Sequence, residues 1–315
     1  MDSIDSIDSR ADDTLVIEAS SGQDAILVPD HAWLQHADFV RQGGDLLLVG
    51  DDGKEILVRD YFNLDNPPEL VTSVGGVFDA KLVASLAGPV APGEFAQAAG
   101  GATEPIGQIE TIEGIVEITR VDGTKITAQQ GDDIFQGDVI ETGADASIGM
   151  VLADDTVFSL DSDARAVIDE MVYDPDEQTG NLGITLVAGV MSFVSGQLAK
   201  TDPDAMVLNT PVATIGIRGT QVGIDLRPTE DGEPDLRVVL MEESDGFVGE
   251  VVISNAAGIQ ILNLPDQGST VTGINSAPAE PRVFQRSEIR ESFGDALDSL
   301  PTAVGTGNDY APRED

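Results

Sequence analysis

The feature that most constrains the fold is a long series of short, Val- and Ile-rich runs between residues 106 and 283. Turn residues interrupt the series every eight to twelve positions. Strands at this spacing are typical of all-β sandwiches and rolls. We therefore predict that residues 106–285 form an all-β domain, a β-sandwich or roll built from hairpins.

Two of the predicted hairpins share a sequence template. Segments 114–126 and 249–261 match at Gly, Val, Ile, hydroxyl, Gly and Ile, offset by 135 residues, and segment 44–56 is a looser copy. The second and fourth residues after the opening glycine are apolar, which places them on one face of a strand. The later glycine is predicted to take the positive φ of the turn, most clearly in Asp122-Gly123. Internal duplication and convergence on a common hairpin pattern both remain open.

The rest of the chain divides by composition. An arm with five Asp and a repeated Asp-Ser-Ile cannot build a core. Strand-like runs follow at Thr14–Glu18, Ala25–Val28, Asp45–Val49 and Glu55–Phe62, before a stretch dense in Pro, Gly and Ala. We predict five parts: a disordered acidic arm (1–13), a small β-rich accessory domain (14–87), a linker (88–105), the β-domain (106–285) and a weakly structured tail (286–315) with a helical signal at 293–300.

The charge of the chain limits its partners. Its 57 Asp and Glu face 16 Lys and Arg, for a formal net charge of −41. Nucleic acids and anionic lipid surfaces are bound through clustered basic residues, so we expect neither as a partner. The hydrophobic share of 41% is nevertheless large enough for most of the chain to fold.

Cysteine usage and hydropathy exclude further classes of protein. The absence of cysteine excludes disulfides, thiol nucleophiles, Cys-ligated zinc and iron–sulfur clusters. The segment Met1–Arg10 has neither the basic nor the apolar region of a Sec signal peptide. The most apolar window, Ile184–Ala199, is shorter than the roughly 20 residues that cross a bilayer. We expect no transmembrane segment.

The residues suited to catalysis are few. His31 and His36 are the only histidines, and their spacing of five fits neither a helical nor a strand metal pair. We interpret them as surface-loop residues around a packed Trp33. No Gly-x-Ser-x-Gly elbow or phosphate-binding glycine loop occurs, and 14 aromatic residues are few for a sugar site. We therefore assign no catalytic, cofactor-binding or metal-binding residue and expect no enzyme.

Calcium is the one ion that the composition would allow. Asp174–Asn181 places carboxylate and amide oxygens around a glycine, and Asp161–Asp163 is a second short cluster. Neither segment fits the twelve-residue EF-hand loop or the glycine-rich nonapeptide repeats that bind calcium. We expect no cofactor and keep calcium as an open alternative.

Three segments carry a family resemblance. Gly131–Gly143 has two Gly-Asp pairs followed by Ile-x-Thr-Gly. Ile148, Met150 and Leu152 then alternate before an Asp-Asp-Thr turn, and Leu208–Thr220 contains Thr-Pro-Val-Ala-Thr-Ile-Gly-Ile-Arg-Gly-Thr. Together they resemble the FecR domain family, whose members are extracytoplasmic β-domains of iron-dicitrate-type signalling and of larger surface proteins. The resemblance covers residues 109–271.

Further details of the sequence refine this resemblance. The last segment, the acidic composition and the section before it resemble the N-terminal region of large type I-secreted, RTX-like surface proteins of Gram-negative bacteria. Asp155 stands where the family usually has glycine. We expect Arg218 to pair with surplus carboxylates, Gly216 and Gly219 to be bulge or close-packing positions, and Pro211 to begin a strand.

The resemblance implies a non-enzymatic FecR-type binding or scaffolding module at or outside the cell envelope, in a secreted surface protein or adhesin. An envelope or surface protein or a glycan would then be its partner. The first alternative is a FecR-like sensory regulator of extracytoplasmic, iron-uptake-type signalling, although the transmembrane helix and cytoplasmic arm of such regulators are missing. The second is a glycan-acting enzyme. The expected location is extracytoplasmic or on the cell surface, with the cytoplasm as the alternative.

Overall fold

A computed structural model describes residues 14–28, 30–89, 104–202, 204–229, 231–244 and 246–301. The predicted acidic arm, most of the linker and the end of the tail lie outside these residues. Throughout the described part the chain is dominated by strands, so the all-β prediction is confirmed.

The accessory section, residues 14–87, combines two small sheets with two helices. Three of its four predicted strands have the predicted bounds, and the fourth ends three residues early, at Arg59, before a 3-10 turn at Tyr61–Asn63. One sheet has the order β1-β5-β4-β3 and the other β2-β6-β7. The elements are β1 (Thr14–Glu18), β2 (Ala25–Val28), α1 (His31–His36), β3 (Asp38–Gln42), β4 (Asp45–Val49), β5 (Glu55–Arg59), β6 (Glu69–Thr72), β7 (Val77–Phe78) and α2 (Ala80–Ala87).

The larger section forms one curled sheet with two halves. Its elements are β8 (Gly107–Glu113), β9 (Val116–Thr119), β10 (Lys125–Thr127), β11 (Asp133–Ile134), β12 (Val139–Thr142), β13 (Ser147–Leu152), β14 (Val157–Leu160), β15 (Arg165–Asp174), β16 (Thr179–Val194), α3 (Leu198–Thr201), β17 (Met206–Asn209), β18 (Thr214–Arg218), β19 (Gln221–Pro228), β20 (Pro234–Met241), β21 (Glu250–Asn255), β22 (Gly258–Leu262), β23 (Gln267–Val271), β24 (Arg282–Val283) and α4 (Arg286–Ser299).

Strand β16 joins the two halves. Sheet I has the order β11-β8-β13-β14-β16-β19-β20-β23-β24. Sheet II has the order β10-β9-β12-β15-β16-β17-β18-β21-β22. The strand passes from sheet II to sheet I near Gly189, whose φ is +90°. A Cβ at Gly189 would lie 2.4 Å from Cα of Ala164, so this crossing requires glycine.

Alternating side chains fill the space between the two sheets. Ile148, Met150 and Leu152 are all buried, as their alternation predicts. The template positions are buried too: the second and fourth residues after the opening glycine are Val116 and Ile118 in one hairpin, and Val251 and Ile253 in the other.

The two templates differ at their turns. Gly123 has φ +82°, as predicted for the later glycine, whereas Gly258 is not in the left-handed region. The prediction is therefore wrong for Gly258. Its turn is stabilised instead by Asn255, whose Oδ1 accepts hydrogen bonds from the amides of Ala257 and Gly258 at 2.9 and 3.1 Å.

Helix α4 covers the outer face of sheet I. Ile289, Phe293, Ala296 and Leu297 pack against apolar side chains of β16 and β20. A capping box between Gln285 and Glu288 starts the helix. This part of the tail is therefore more ordered than the sequence predicts, because the helix begins at Arg286 rather than near 293 and buries a full apolar stripe.

The accessory section covers part of the outer face of sheet II. Val139, Val167 and Val187 of that face belong to the same hydrophobic cluster as the accessory core. The Gln35 side-chain amide also donates to the carbonyl of Val187 at 2.8 Å. This packing leaves a cleft between the accessory section and sheet II.

Candidate functional site

A cleft of about 360 Å³ opens where the accessory section meets sheet II. Its floor includes Thr119 and Val139 on the outer face of the sheet, and its walls are β3 and the C-terminal end of α2. The helix ends at Gly88, which has φ +65° and turns the chain along the rim.

Arg165 connects the floor of the cleft, which is sheet II, to the accessory section. Its side chain is only 9% exposed. Nη1 donates to the carbonyl of Ala37 at 2.9 Å, and Nε lies 2.9 Å from Oε1 of Glu141. The guanidinium also lies 5.8 Å from the ring centre of Phe39. One residue of β15 therefore holds both a carboxylate of its own sheet and the backbone of the accessory section.

Two further cations line the cleft. Neither Arg41 nor Lys125 forms an ion pair with any residue that the structure describes. Arg41 lies over the ring of Phe62 at 4.2 Å, and burial lowers its pKa. The carboxylates of Asp38 and Glu141 line the same cleft, and Glu141 pairs with Arg165. Arg41 and Lys125 are therefore the two cations of this cleft that an anionic group can contact.

Sequence reasoning did not find this cleft. Arg41, Lys125 and Arg165 lie on β3, β10 and β15, and only the packing of the accessory section brings them together. The one available signal was the scarcity of basic residues, because each of the 16 Lys and Arg has many carboxylates with which it could pair.

The first family motif, Gly131–Gly143, forms a turn stabilised by a buried carboxylate. Asp138 is 1% exposed and accepts a hydrogen bond from the amide of Phe135 at 2.8 Å. Arg120 forms an ion pair with Asp138 and donates to the carbonyl of Asp133 at 2.9 Å. Burial raises the pKa of Asp138, while Arg120 and the Phe135 amide act in the opposite direction. This carboxylate is engaged in structure.

The Asp-Asp-Thr turn between β13 and β14 is also structural. Asp155 adopts φ +65°, the left-handed conformation that glycine takes most easily, so this departure from the family pattern keeps the turn geometry. Asp154 is fully buried and accepts hydrogen bonds from the amide and hydroxyl of Thr156 at 3.1 and 2.8 Å.

The third motif, Leu208–Thr220, forms β18 and its two turns. Arg218 pairs with Glu250 at 2.5 Å and with Asp204 at 3.2 Å, which confirms the predicted pairing with surplus carboxylates. Gly219 takes φ +60° in the turn after β18. Gly216 is in a regular strand, and the nearest heavy atom to a Cβ placed there would be 3.9 Å away. The prediction of a bulge or close-packing position is wrong for Gly216.

The prediction that Pro211 begins a strand is wrong. Strand β18 begins at Thr214, three residues after the proline, because Pro211 lies in the preceding turn and its carbonyl accepts from the amide of Val77 at 2.8 Å. Ile215 and Ile217 of β18 are fully buried and share the inner face of the strand.

The two histidines lie in different environments. Asp30 caps α1 by accepting from the Trp33 amide at 3.1 Å, so both histidines are on a helix rather than in a loop. His36 is exposed, but His31 is 1% exposed and packs edge-on against Phe78, so the surface prediction is wrong for His31. Burial lowers the pKa of His31 to about 4, so the ring is neutral at pH 7.

In the two acidic loops considered for calcium, carboxylate oxygens accept hydrogen bonds from backbone amides of the same turn. Oδ1 of Asp174 accepts from the amides of Asp176 and Glu177 at 2.9 and 3.2 Å, and Oδ1 of Asp161 accepts from the Ser162 amide at 2.7 Å. Within the described residues, no three His, Asp or Glu side chains converge as metal ligands. The expectation of no cofactor stays a prediction, with calcium as its open alternative.

A search of the described helices for membrane spans finds none that is long and apolar enough.

Comparison with known proteins identifies a domain. The family described as FecR protein matches residues 138–242, so a FecR domain is present. No curated protein matches the chain in sequence.

Two crystal structures of a protein described as an anti-sigma factor from Parabacteroides distasonis are similar to the chain at 14% identity. The structure at 1.65 Å resolution has a TM-score of 0.34, with 46% of this chain and 59% of that chain covered. The structure at 2.50 Å has a TM-score of 0.36, with 49% and 63% covered. The chain thus spans about three fifths of the solved chains that it matches.

These findings correct the expected function. The main prediction, a binding or scaffolding module of a surface protein or adhesin, is wrong, because the FecR match favours the alternative of a FecR-like regulator. Neither the family match nor the two structures is an RTX-like surface protein, and that resemblance stays a prediction.

Proposed function

We propose that this chain is a FecR-like regulatory module that acts in signalling through a protein partner. The observation that carries the proposal is the FecR match over residues 138–242. That span runs from the start of β12 to just past the end of β20 and contains β16, the strand that joins both sheets. The matched segment is therefore the centre of the β-domain.

The chain acts without catalysis in this proposal. Catalysis requires titratable groups that converge on a substrate position. Of the two most buried carboxylates, Asp138 contacts the Phe135 amide and Arg120 through Oδ2, and Asp154 accepts from the Thr156 amide and hydroxyl through both of its oxygens. His31 lies inside the accessory section against Phe78 and Thr72. The cleft is lined by three cations and two carboxylates, and one of those carboxylates, Glu141, is paired with Arg165.

The cleft gives a route by which binding could be transmitted. Arg165 contacts both the β-domain and the backbone of Ala37, so an anionic ligand or partner that competes with Glu141 for Arg165 would loosen the accessory section. Regulation through such a joint requires two states that the partner stabilises unequally. We place this module outside the cytoplasm, at or beyond the cell envelope, with no cofactor.

A deletion strain tests the regulatory role. Removing the chain should change the abundance of a defined set of transcripts, and the full chain supplied in trans should restore it. Unchanged transcripts together with altered surface attachment would contradict the proposal. Fractionation of the same cells tests the location, since retention of the full-length chain in the cytoplasm would contradict an extracytoplasmic role.

A further inference from the structure

Strand β22 lies at the open edge of sheet II. In the described part of the chain it pairs with β21 and with no other strand. The opposite edge of the same sheet is β10, which carries Lys125 and borders the cleft beside the accessory section. Of these two edges, only β22 therefore offers a long strand without a charged side chain.

The backbone of β22 has donors and acceptors that face away from the sheet. Asn255 and Gly258 close a two-residue turn and are therefore a hydrogen-bonded pair. Because such pairs alternate along an antiparallel ladder, Gln260 and Leu262 also bond to β21, whereas Ile259 and Ile261 do not. Neither isoleucine takes part in the other backbone hydrogen bonds of the described chain. Their N–H and C=O groups form the unpaired side of the strand.

The same two residues present apolar side chains to solvent. Ile259 is 65% exposed and Ile261 is 48% exposed. On the same face, Ile261 is opposite Val252 of β21. Ile259 and Ile261 are therefore the side chains of β22 that an added strand would meet on this face.

Edge strands are normally protected against pairing with other chains. Lysine, proline, bulges or a covering element serve this purpose. From Val251 to Pro265 the sequence contains no Asp, Glu, Lys or Arg, although 23% of the chain is charged. Apart from Pro265, which follows the strand, β22 has none of the residues that commonly block strand addition.

The surroundings of β22 are acidic. Glu250 and Asp204 share the single cation Arg218 beside the β21–β22 hairpin, and Asp266 follows β22. The chain as a whole carries −41. Charge therefore disfavours a second copy as the strand that binds here and favours a segment with basic ends.

We propose that β22 accepts an extended segment of a protein partner as an additional strand of sheet II. The segment alternates apolar and small polar residues and is flanked by Lys or Arg. This inference rests on the proposed function, because it supplies the surface through which a regulator meets its partner. A strand of five residues is about 17 Å long, so the contact is small and reversible, as switching requires.

A synthetic peptide tests the proposal with the full chain. The probe is Lys-Lys-Thr-Val-Thr-Val-Thr-Lys-Lys, and the same core with Glu in place of Lys is the charge control. We expect the basic peptide to bind at least tenfold more tightly than the acidic one. Hydrogen exchange should show new protection at the Ile259 and Ile261 amides. Equal affinities, or protection elsewhere, would overturn the proposal.

Matched variants separate the edge from the rest of the surface. Ile261→Pro removes an outward N–H without breaking the β21–β22 ladder and should weaken peptide binding at least tenfold. Ile261→Lys adds a charge to the edge and should weaken the basic peptide similarly. Ile115→Thr changes an isoleucine that is 70% exposed on another turn and should leave binding unchanged. Equal binding by all three variants would overturn the proposal, as would self-association that protects the same amides without peptide.

The same variants distinguish the two proposals in cells. If the full chain restores transcripts in the deletion strain and Ile261→Pro does not, both proposals are supported. If Ile261→Pro restores them fully, the β22 surface is wrong and the regulatory role stands. If no transcript responds to deletion while the peptide binds β22, the regulatory role is wrong and the strand-acceptor surface stands.

Discussion

The β9–β10 and β21–β22 hairpins follow one sequence template, yet they form opposite edges of sheet II with different surroundings. The first borders the accessory section and the cleft that contains Lys125. The second is exposed, and its outer strand has no charge. A hairpin pattern thus specifies strands and their inner faces, whereas the neighbouring elements decide whether the resulting edge is available to a partner.

The largest expected loss of stability is at the side of sheet II that the accessory section covers. Arg165→Met removes a buried cation, its hydrogen bonds to the accessory backbone and its ion pair with Glu141. We expect unfolding free energy to fall by about 4 kcal/mol, because a carboxylate and backbone acceptors lose their partner. Urea unfolding measures the loss.

The double variant Arg165→Met with Glu141→Gln is the matched control. It removes the uncompensated charge and should recover part of the lost stability. A single variant as stable as the wild type would show that the accessory section does not depend on this joint.

At the open edge, proline substitutions at two adjacent residues of β22 should differ sharply in the stability that they cost. Gln260→Pro removes a ladder hydrogen bond to β21 and should cost about 3 kcal/mol. Ile261→Pro replaces an outward N–H and should cost about 1 kcal/mol or less. Thermal unfolding of both variants measures the contrast, and equal losses would mean that Ile261 is also bonded within the sheet.

His31 should make the stability of the accessory section depend on pH. Its pKa is about 4 in the folded chain against 6.5 unfolded, so protonation favours unfolding. The contribution of the neutral His31 ring to the free energy of unfolding is complete above pH 6.5. It is lost as pH falls towards 4, and the total loss is about 3 kcal/mol. Urea unfolding at pH 7, 6 and 5 should show a shallower decline for His31→Gln than for the wild type. His36→Gln, an exposed control, should keep the wild-type decline, and an unchanged decline in His31→Gln would contradict the burial of a neutral ring.

The smallest effect distinguishes the two turns. Gly123→Ala should cost about 1 kcal/mol because Gly123 has a left-handed φ, whereas Gly123→Asn should cost less. Gly258 differs from Gly123 because its backbone is not left-handed. What limits a side chain at Gly258 is contact, since an added Cβ would lie 3.1 Å from the Cβ of Ala277. If Gly123→Ala matched the wild type in a thermal melt, the left-handed turn would be contradicted.

Alternation made much of the fold predictable from sequence. Ile148, Met150 and Leu152 are buried together because side chains in a strand alternate between its faces. The start of α4 was missed although Gln285 and Glu288 form a capping box, because its apolar face meets sheet I only in the folded chain. Local patterns do not contain that contact.

The candidate sites were less predictable for the same reason. Arg165 contacts Ala37 across more than a hundred residues, and no spacing rule relates two such positions. Histidine is a polar residue that the sequence places beside a proline and an aspartate, as in a surface loop. In the structure Asp30 caps α1 there, and His31, the first residue of the helix, is buried in the accessory core. The open edge at β22 did leave a local signal, the uncharged stretch from Val251 to Pro265. Its meaning depends on knowing that no strand covers it.

Amide hydrogen exchange of the free full-length chain tests the central claim most directly, because it separates the two sides of β22. Ile259 and Ile261 should exchange rapidly, while Gln260 and Leu262, bonded to β21, should be protected by at least a hundredfold, as expected for amides in a stable ladder. Equal protection at all four amides would show that β22 is already covered and would contradict an open strand-acceptor edge.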